Sequence, residues 1–589
     1  MSDASGLPSQ LLARWRSLPS WLRNLLITGI LAGVAGLIYL AGFQTAYREV
    51  GPYGLIDKID RKITQRFASQ EIPALEDQAY PTILLTLRSH VAKVDTGSEP
   101  DKRGRVFKQG GGLTSLGGDV LLLPYSGRVF AATSAEDVRA THIFGPDRGE
   151  EAYLAAASAP DSGMNFHLGY LRYNDLKHIQ RSDGRNQLVA SYSEFHQEGQ
   201  CTTNTVAVTT LPQGITDAMA LSVQPEDWEV VFRAEPCLPL KTKHFAMEGQ
   251  MASGQLEYDG ASTLYLTSGD YHFDGMRTEG DPIAQDPDAD YGKVIAIDLE
   301  TGESRRLSYG HRNMQGMAIG TDGALYISEH GPRGGDELNR IHPDGPYLNY
   351  GWPVASLGTA YSATPLPTAE ILGRHAGYEP PVVSWVPSVA LSGMTLVHGF
   401  HEAWEGDLLI GSLNDRALHR VRLEGDRSLY IERIPVGSRI RQVHQHTDGQ
   451  IVLWTDNQEL IFLTAEDLAS PAEQIPAYLA NLDVPSNIKA EFETVMERCI
   501  ECHALVDGDD SRAPSLARIY DNDIATTGYE GYSDALQGVS GRWTHEQLVA
   551  FLMEPDGFAP GTYMPAVEIE HKRTAEEIAT YLAWLDRQF

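Results

Sequence analysis

Between about residue 80 and residue 465 the chain is built from short apolar runs cut by Gly, Asp and Pro turns, and one turn pattern recurs. Thr-Asp-Gly followed by an alternating strand occurs in AIGTDGALYISE (318–329) and HQHTDGQIVLWTD (444–456); EGDLLIGSL (405–413) and GGDVLLLPY (117–125) are looser copies. Each reads as the same β-hairpin. A hairpin repeated over some 385 residues, with no long helical period, fits a β-propeller, whose four-stranded blades have faces that only their neighbours can bury. The turn copies are compatible with six or seven blades, and six is preferred.

A chain of 589 residues is too long for one compact core, and its two ends differ in pattern from the middle. Leu25 to Phe43 is a 19-residue stretch without a charge, long enough to cross a hydrocarbon core as a helix. A cleaved signal peptide is the competing reading, but its apolar region is usually only about 7–15 residues. Arg14, Arg16 and Arg23 precede the stretch, which holds residues 1–24 in the cytoplasm and sends the bulk of the chain to the periplasm. Gly29 and Gly33 form a small-xxx-small pair, either a helix-pairing face or a permissive span. Within 44–80, Leu55, Ile56, Ile59, Ile63 and Phe67 recur at helical spacing and suggest an amphipathic stalk. The expected location is the cytoplasmic membrane, with a single pass.

The formal net charge of -32 argues against nucleic acid as a partner, because such binding needs a basic footprint. Of four cysteines, Cys201 and Cys237 stand outside any motif, and in an oxidising compartment they are expected to form a disulfide.

Residues 466–487 carry several Pro and Ala and read as a linker; beyond them helices return. Ile488, Phe492, Val495 and Cys499 share a helical face. Thr544 to Gln547 is a capping box opening one helix, and Thr574 to Glu577 is a capping box opening another. Cys499-Ile500-Glu501-Cys502-His503 is CxxCH, the attachment motif for c-type haem: two thiols three apart reach one porphyrin edge, and His503 is placed to ligate the iron. A zinc site would need a second Cys or His pair, and this region has no further cysteine. Residues 488–589 resemble a class I cytochrome c. That resemblance implies Met564, in Gly561-Thr562-Tyr563-Met564-Pro565, as the second iron ligand, and the Pro514 carbonyl as the partner of the His503 ring. Met553 is the alternative ligand, but its place within a helix makes it a core residue instead. The expected fold is mainly β: a six-bladed propeller (81–465) with an N-terminal transmembrane helix and a C-terminal all-α cytochrome c domain.

Within the propeller, Gly310-His311-Arg312-Asn313-Met314-Gln315-Gly316, Glu329-His330-Gly331-Pro332-Arg333-Gly334-Gly335-Asp336-Glu337 and Asn349-Tyr350-Gly351-Trp352-Pro353 form the clearest segment. Together with Asp290-Tyr291-Gly292-Lys293-Val294 and Pro387-Ser388-Val389-Ala390-Leu391-Ser392-Gly393, it resembles the soluble glucose dehydrogenase and aldose sugar dehydrogenase family over roughly 245–460. The resemblance implies a propeller that binds pyrroloquinoline quinone (PQQ) and calcium. Arg312, Arg439 and Arg441 match the cations that a tricarboxylate cofactor needs, and Asn313 matches a cofactor contact. Calcium falls on the backbone carbonyls of Gly331 and Pro332, and Glu337 and Tyr350 match a further calcium site. The bland alternative is that the arginines are solvated loop residues and the Gly-Pro a mere turn.

Two positions depart from the family. Met251 stands where the general-base histidine is expected, and a thioether cannot take a proton. Asp270, which matches the aspartate that steadies the base, remains, and His244 or Glu248 could serve if the loop is displaced. Ser412-Leu413-Asn414 lacks the cofactor-binding lysine of the family. Two readings follow. One is a PQQ-dependent oxidoreductase of a sugar or related alcohol that passes electrons to its own haem, and from there to a soluble cytochrome or a membrane redox complex. The other is a catalytically degenerate propeller serving as an accessory docking subunit of a larger redox assembly.

Overall fold

The computed structural model describes residues 77–97, 110–157, 171–240, 250–276, 278, 280–361, 363–467, 475–476, 478–479, 482–506 and 512–586. Contacts divide it into two units, Met1–Glu466 and Asp467–Phe589.

Besides a small two-stranded sheet of Ala355–Ser356 with Ile371–Leu372, the first unit holds six blade sheets in succession. Their innermost strands are Gly111–Leu116, Tyr173–Gln180, Ser253–Tyr258, Met314–Ile319, Leu391–Leu396 and Ile440–Gln445, which define blades 1 to 6. Each innermost strand packs against the next, and the last packs against the first, so the ring is six-bladed and closed. Blade 6 is completed from the other end of the propeller: Leu85–Lys93 lies beside Glu459–Asp467, with Gln78–Pro81 at the edge. The propeller therefore begins at residue 78 rather than 81, and residues 78–80 belong to a blade, not to a stalk.

The hairpin copies are the first turn of each blade. In four blades that turn is Asp-Gly, with the aspartate Oδ1 accepting the backbone N–H two residues on: Asp183 to Arg185, Asp259 to Ala261, Asp322 to Ala324 and Asp448 to Gln450, at 2.7–3.1 Å. The glycine that follows each has positive φ, between 74° and 93°, which only glycine adopts without strain. Both faces of every blade are apolar because each interface between neighbours has its own core. Blades 1 and 2 share Leu121, Ile143, Leu188 and Ala207, for example, and blades 4 and 5 share Tyr326, Leu338, Leu408 and Ile410. A fully buried aliphatic side chain of this kind stabilises by roughly 1.5–3 kcal/mol.

Near the axis the strands run too close for side chains. A Cβ on Gly112 would lie 2.0 Å from the Leu176 nitrogen, and one on Gly316 would lie 2.4 Å from the Ser392 carbonyl. The register also shifts near the start of five innermost strands, including Met314/Gly316 in blade 4 and Ile440/Gln442 in blade 6. Such bulges turn the extra residue, here Gln315 and Arg441, out of the regular alternation. Cys201 and Cys237 form the expected disulfide, beside the pairing of Cys201 with Pro239.

The second unit is helical, with helices Ser486–Ile500, Asp534–Gln537, His545–Met553, Pro555–Phe558 and Lys572–Asp586. Ile488, Phe492, Val495, Met496 and Cys499 form the buried face of the first, as the spacing predicts. Thr544 caps the helix His545–Met553, accepting from the Gln547 N–H at 3.3 Å. The second capping box is not one. The last helix starts two residues earlier, at Lys572, and Thr574 instead gives its hydroxyl to Glu491. Nor is 466–487 a free linker: Ile475 and Leu479 are buried in the core of the helical unit, and Tyr478 packs on Phe492, Tyr581 and Trp584. Proline and alanine in that stretch hid the helical spacing of these apolar residues. Among the described residues no helix is long and apolar enough to cross a membrane; the stretch 25–43 lies outside them.

Candidate active site and haem site

The bulge residues open the first site. Arg441 and Gln315 lie at the start of innermost strands, and their side chains face each other, Arg441 Nη1 at 3.5 Å from Gln315 Oε1. Gln315 Nε2 donates to Asn313 Oδ1 at 2.8 Å, and Asn313 Nδ2 lies 3.2 Å from His330 Nδ1. Arg312 completes the group. Its Nη1 donates to the carbonyls of His330 (3.1 Å) and Gly331 (3.0 Å), and its guanidinium lies 5.1 Å from the Trp352 ring centre. Three of the predicted residues, Arg312, Asn313 and Arg441, are thus brought together; Arg439 stands next to them, ahead of Ile440.

The charges are not equivalent. Asp456 accepts from Arg441 Nε at 2.9 Å and from Arg439 Nε at 3.0 Å, so one carboxylate serves two guanidiniums. Burial opposes its charge, but Arg441 and Arg439 outweigh that and hold its pKa below the usual value. Arg312 is only 4% exposed, and among the described residues no carboxylate lies within ion-pair distance of it. Its direct polar partners are two carbonyls and the Tyr361 hydroxyl, with Asp270 and Asp274 attracting it from beyond ion-pair distance, so a buried cation is left that an anion would stabilise. His330 is held down to about 4 by burial, to which Arg312 and Arg441 add against the pull of Asp336. It is neutral at pH 7.

Asp270 lies against this group. Its backbone N–H donates to the Arg312 carbonyl at 2.9 Å, and Trp352 Nε1 donates to its Oδ2 at 2.7 Å. Burial pushes its pKa up to about 7, and Asp274 raises it further while Arg312 works against the shift. Met251 sits beside the same segment, its carbonyl accepting from Tyr271 N–H at 3.3 Å. A Cβ on Gly269 would lie 1.9 Å from the Met251 carbonyl oxygen, so the two stretches are in close backbone contact. His244 and Glu248 lie outside the described residues. Asn414 is exposed, while the neighbouring Leu413 carbonyl accepts from Arg439 Nη1 at 3.0 Å.

The residues present fit a planar anionic cofactor: a buried guanidinium without a carboxylate, a second pair of guanidiniums sharing one, and an amide between them. Of the positions matched to calcium, Gly331, Glu337 and Tyr350 have partners within the protein. The Gly331 carbonyl is taken by the Arg312 cation, beside which a second cation is repelled. Glu337 Oε1 lies 2.9 Å from His375 Nε2 and its Oε2 accepts from Asn339 at 3.2 Å, whereas the Tyr350 hydroxyl donates to the Arg340 carbonyl at 2.6 Å. Both side chains are thus engaged within the protein in this structure. Among the described residues no group of three or more His, Cys, Asp or Glu could hold a metal ion. Sequence reading missed the roles of Trp352, His330 and Asp456. The only signal was their place within or beside the conspicuous segments.

In the helical unit, Cys499 is buried at the end of its helix and Cys502 is exposed, neither in a disulfide. His503 follows, its backbone N–H donating to the Cys499 carbonyl at 2.9 Å. The His503 ring Nδ1 lies 2.7 Å from the Pro514 carbonyl. That carbonyl is held in place because Leu516 N–H donates to the Ala504 carbonyl and Ser515 Oγ to the Val506 carbonyl, at 2.9 and 2.6 Å. With Nδ1 carrying the proton, Nε2 is the free lone pair that a metal needs. Burial lowers the His503 pKa, against the Pro514 hydrogen bond, and so favours the neutral ring. Met564 packs against the core, on a loop turned by Gly561 at φ 91°. Met553 is not core: it ends its helix and is 39% exposed. The donor set fits haem.

The segment 180–463 matches the family model described as Glucose / Sorbosone dehydrogenase. The propeller is of the glucose/sorbosone dehydrogenase type, and the C-terminal unit is cytochrome c-like. This sugar-dehydrogenase-type propeller is 36% identical over 249 residues to the aldose sugar dehydrogenase YliI of Escherichia coli, covering 39% of this chain and 62% of that protein. The C-terminal region is 30% identical over 112 residues to a cytochrome c homolog of Rickettsia felis, covering 19% of this chain and 63% of that one. The chain thus spans about three fifths of the length of the curated relatives it matches. The crystal structure of the soluble aldose sugar dehydrogenase of Escherichia coli in its apo form aligns with a TM-score of 0.47 at 27% identity, covering 64% of this chain and 99% of that one.

Proposed function

We propose that this chain is a membrane-anchored periplasmic oxidoreductase that oxidises an aldose sugar or related alcohol with PQQ at the propeller mouth and passes the electrons to haem c bound at Cys499, Cys502 and His503. The observation that carries the reading is Arg312, a buried guanidinium without a carboxylate partner among the described residues, placed beside the Arg439/Arg441 pair. PQQ would supply a two-electron acceptor and haem a one-electron carrier. Arg312, Arg441 and Asn313 would bind the anionic edge of the cofactor. Asp270, with a pKa pushed up to about 7 by burial, can exchange a proton near neutrality, whereas the Met251 sulfur cannot. In the helical unit Pro514 holds the His503 proton on Nδ1, leaving Nε2 for iron, and Met564 is the second ligand in this reading. Residues 25–43 provide the anchor, and the downstream acceptor is a soluble cytochrome or a membrane redox complex.

The test uses the full chain in detergent, with PQQ and calcium added, a panel of aldoses and alditols, and the haem absorption as readout. Substrate-dependent reduction is the expected result. If the haem stays oxidised while dithionite reduces it and no PQQ is retained, the chain is instead an accessory propeller that docks a cytochrome domain. Three observations favour that second reading: Met251 in the base position, Asn414 in place of a lysine, and Asp456 offsetting two of the three arginines.

A further inference from the structure

We propose that Tyr361 is the substrate platform of the propeller mouth, its ring taking the C–H face of a pyranose or of an extended alditol. The inference rests on the sugar-oxidising reading above. Tyr361 lies between Ile341 and Val383, in the long connection before the outermost strand of blade 4. That connection is fastened to the loop that positions Arg312. Arg333 and Thr359 exchange backbone hydrogen bonds at 3.0 and 3.1 Å. Gly358 fits so closely that a Cβ there would lie 2.2 Å from the Gly334 carbonyl. Just beyond, Ala360 N–H donates to the Thr364 carbonyl at 2.9 Å and Ala363 N–H to the Ala360 carbonyl at 2.8 Å, a tight turn with Tyr361 inside it.

The side chain combines two properties that seldom occur together. It is 48% exposed, yet its hydroxyl accepts from the buried Arg312 Nη2 at 3.4 Å. An exposed tyrosine with no ligand has no need of an anchor in the floor of a site. The ring is thus tied at its polar end to the guanidinium that lies over the Trp352 indole, and about half of the side chain stays exposed. Sugars match such a surface: their axial C–H groups carry the partial positive charge that an aromatic face attracts, while their hydroxyl edges reach the charged donors below. Val386, 70% exposed, adds a second apolar group at the rim, next to Gly334.

The experiment compares the full-length, haem- and PQQ-loaded protein with Tyr361→Ala and Tyr361→Phe, using D-glucose and sorbitol as probes. The expected result is a KM raised about 10-fold in Tyr361→Ala, the equivalent of one lost aromatic contact, with most of the loss recovered in Tyr361→Phe. PQQ affinity and thermal midpoint stay at their wild-type values. An unchanged KM in Tyr361→Ala overturns the proposal, and so does a fall in PQQ affinity, which would make Tyr361 a cofactor contact. If the wild type oxidises neither probe, the enzymatic reading falls, and saturation-transfer NMR with the same two probes then decides the platform. Transfer present in the wild type, lost in Tyr361→Ala and restored in Tyr361→Phe upholds it; no transfer in the wild type, or equal transfer in all three, overturns it.

Discussion

Trp352 donates its indole N–H to the Asp270 carboxylate at 2.7 Å while its ring lies under the Arg312 guanidinium, so one side chain holds the carboxylate and the cation of the site in register. Trp352→Phe keeps the ring and removes the donor. A buried carboxylate that loses a hydrogen bond costs roughly 1–3 kcal/mol, so the midpoint in urea should fall by that equivalent with the slope unchanged. A variant as stable as the wild type would show that Asp270 does not depend on the indole.

Met251→His should raise turnover if the pocket is otherwise competent. A positioned base contributes on the order of 10²–10⁴-fold, and histidine tolerates the backbone of Met251, at φ 61°, better than most residues do. The readout is the rate of sugar-dependent haem reduction. No gain, with PQQ still bound, would mean that position 251 does not face the substrate.

His444 gives the propeller an acid-side sensitivity. Its Nε2 lies 2.7 Å from Ser115 Oγ, and burial lowers its pKa to about 3, helped by Lys177 and His446. Between that value and the ordinary histidine value of 6.5 the unfolded chain binds a proton that the folded chain does not. This contribution to stability is present above the unfolded value and is lost as pH falls, by about 1.4 kcal/mol per unit. His444→Gln removes this pH dependence. The difference in unfolding free energy between wild type and variant should shift in favour of the variant as pH falls from 6.5 to 4, and a difference flat with pH would refute the assignment.

In the cytochrome c-like unit, if Met564 is the second iron ligand as proposed, Met564→His should lower the reduction potential, because a thioether ligand favours ferrous iron and a second imidazole does not. Met553→Ala should leave the potential where it is, since Met553 is an exposed helix end. Redox titration of the haem bands distinguishes the two. A shift from Met553→Ala and none from Met564→His would exchange their roles.

Much of the propeller was legible because its turns are a local matter. Asp322-Gly323 and Asp448-Gly449 announce their hairpins by composition alone, and Asp183-Gly184 and Asp259-Gly260 make the same turn without the preceding threonine that made the others conspicuous. The bulges that expose Gln315 and Arg441 were not legible, because a register slip depends on the neighbouring strand. The pairing of Asp456 with both Arg439 and Arg441 was hidden for the same reason: it joins residues on two strands. Charge counting along the chain thus overstated the positive field at the site. CxxCH, by contrast, carries its chemistry in five consecutive residues. The Pro514 carbonyl stands where the resemblance placed it, opposite the ring of His503.

Leu85–Lys93 and Glu459–Asp467 meet in one sheet although about 370 residues separate them. A chain emerging from the ribosome cannot close its circle until nearly the whole propeller has been made, so the first strands must wait with unpaired edges. Truncation just past Lys93 would remove the latch and leave blade 6 without its outer half. The two routes out of the ring, toward the N-terminal stretch and toward the cytochrome-like unit, leave from this same blade.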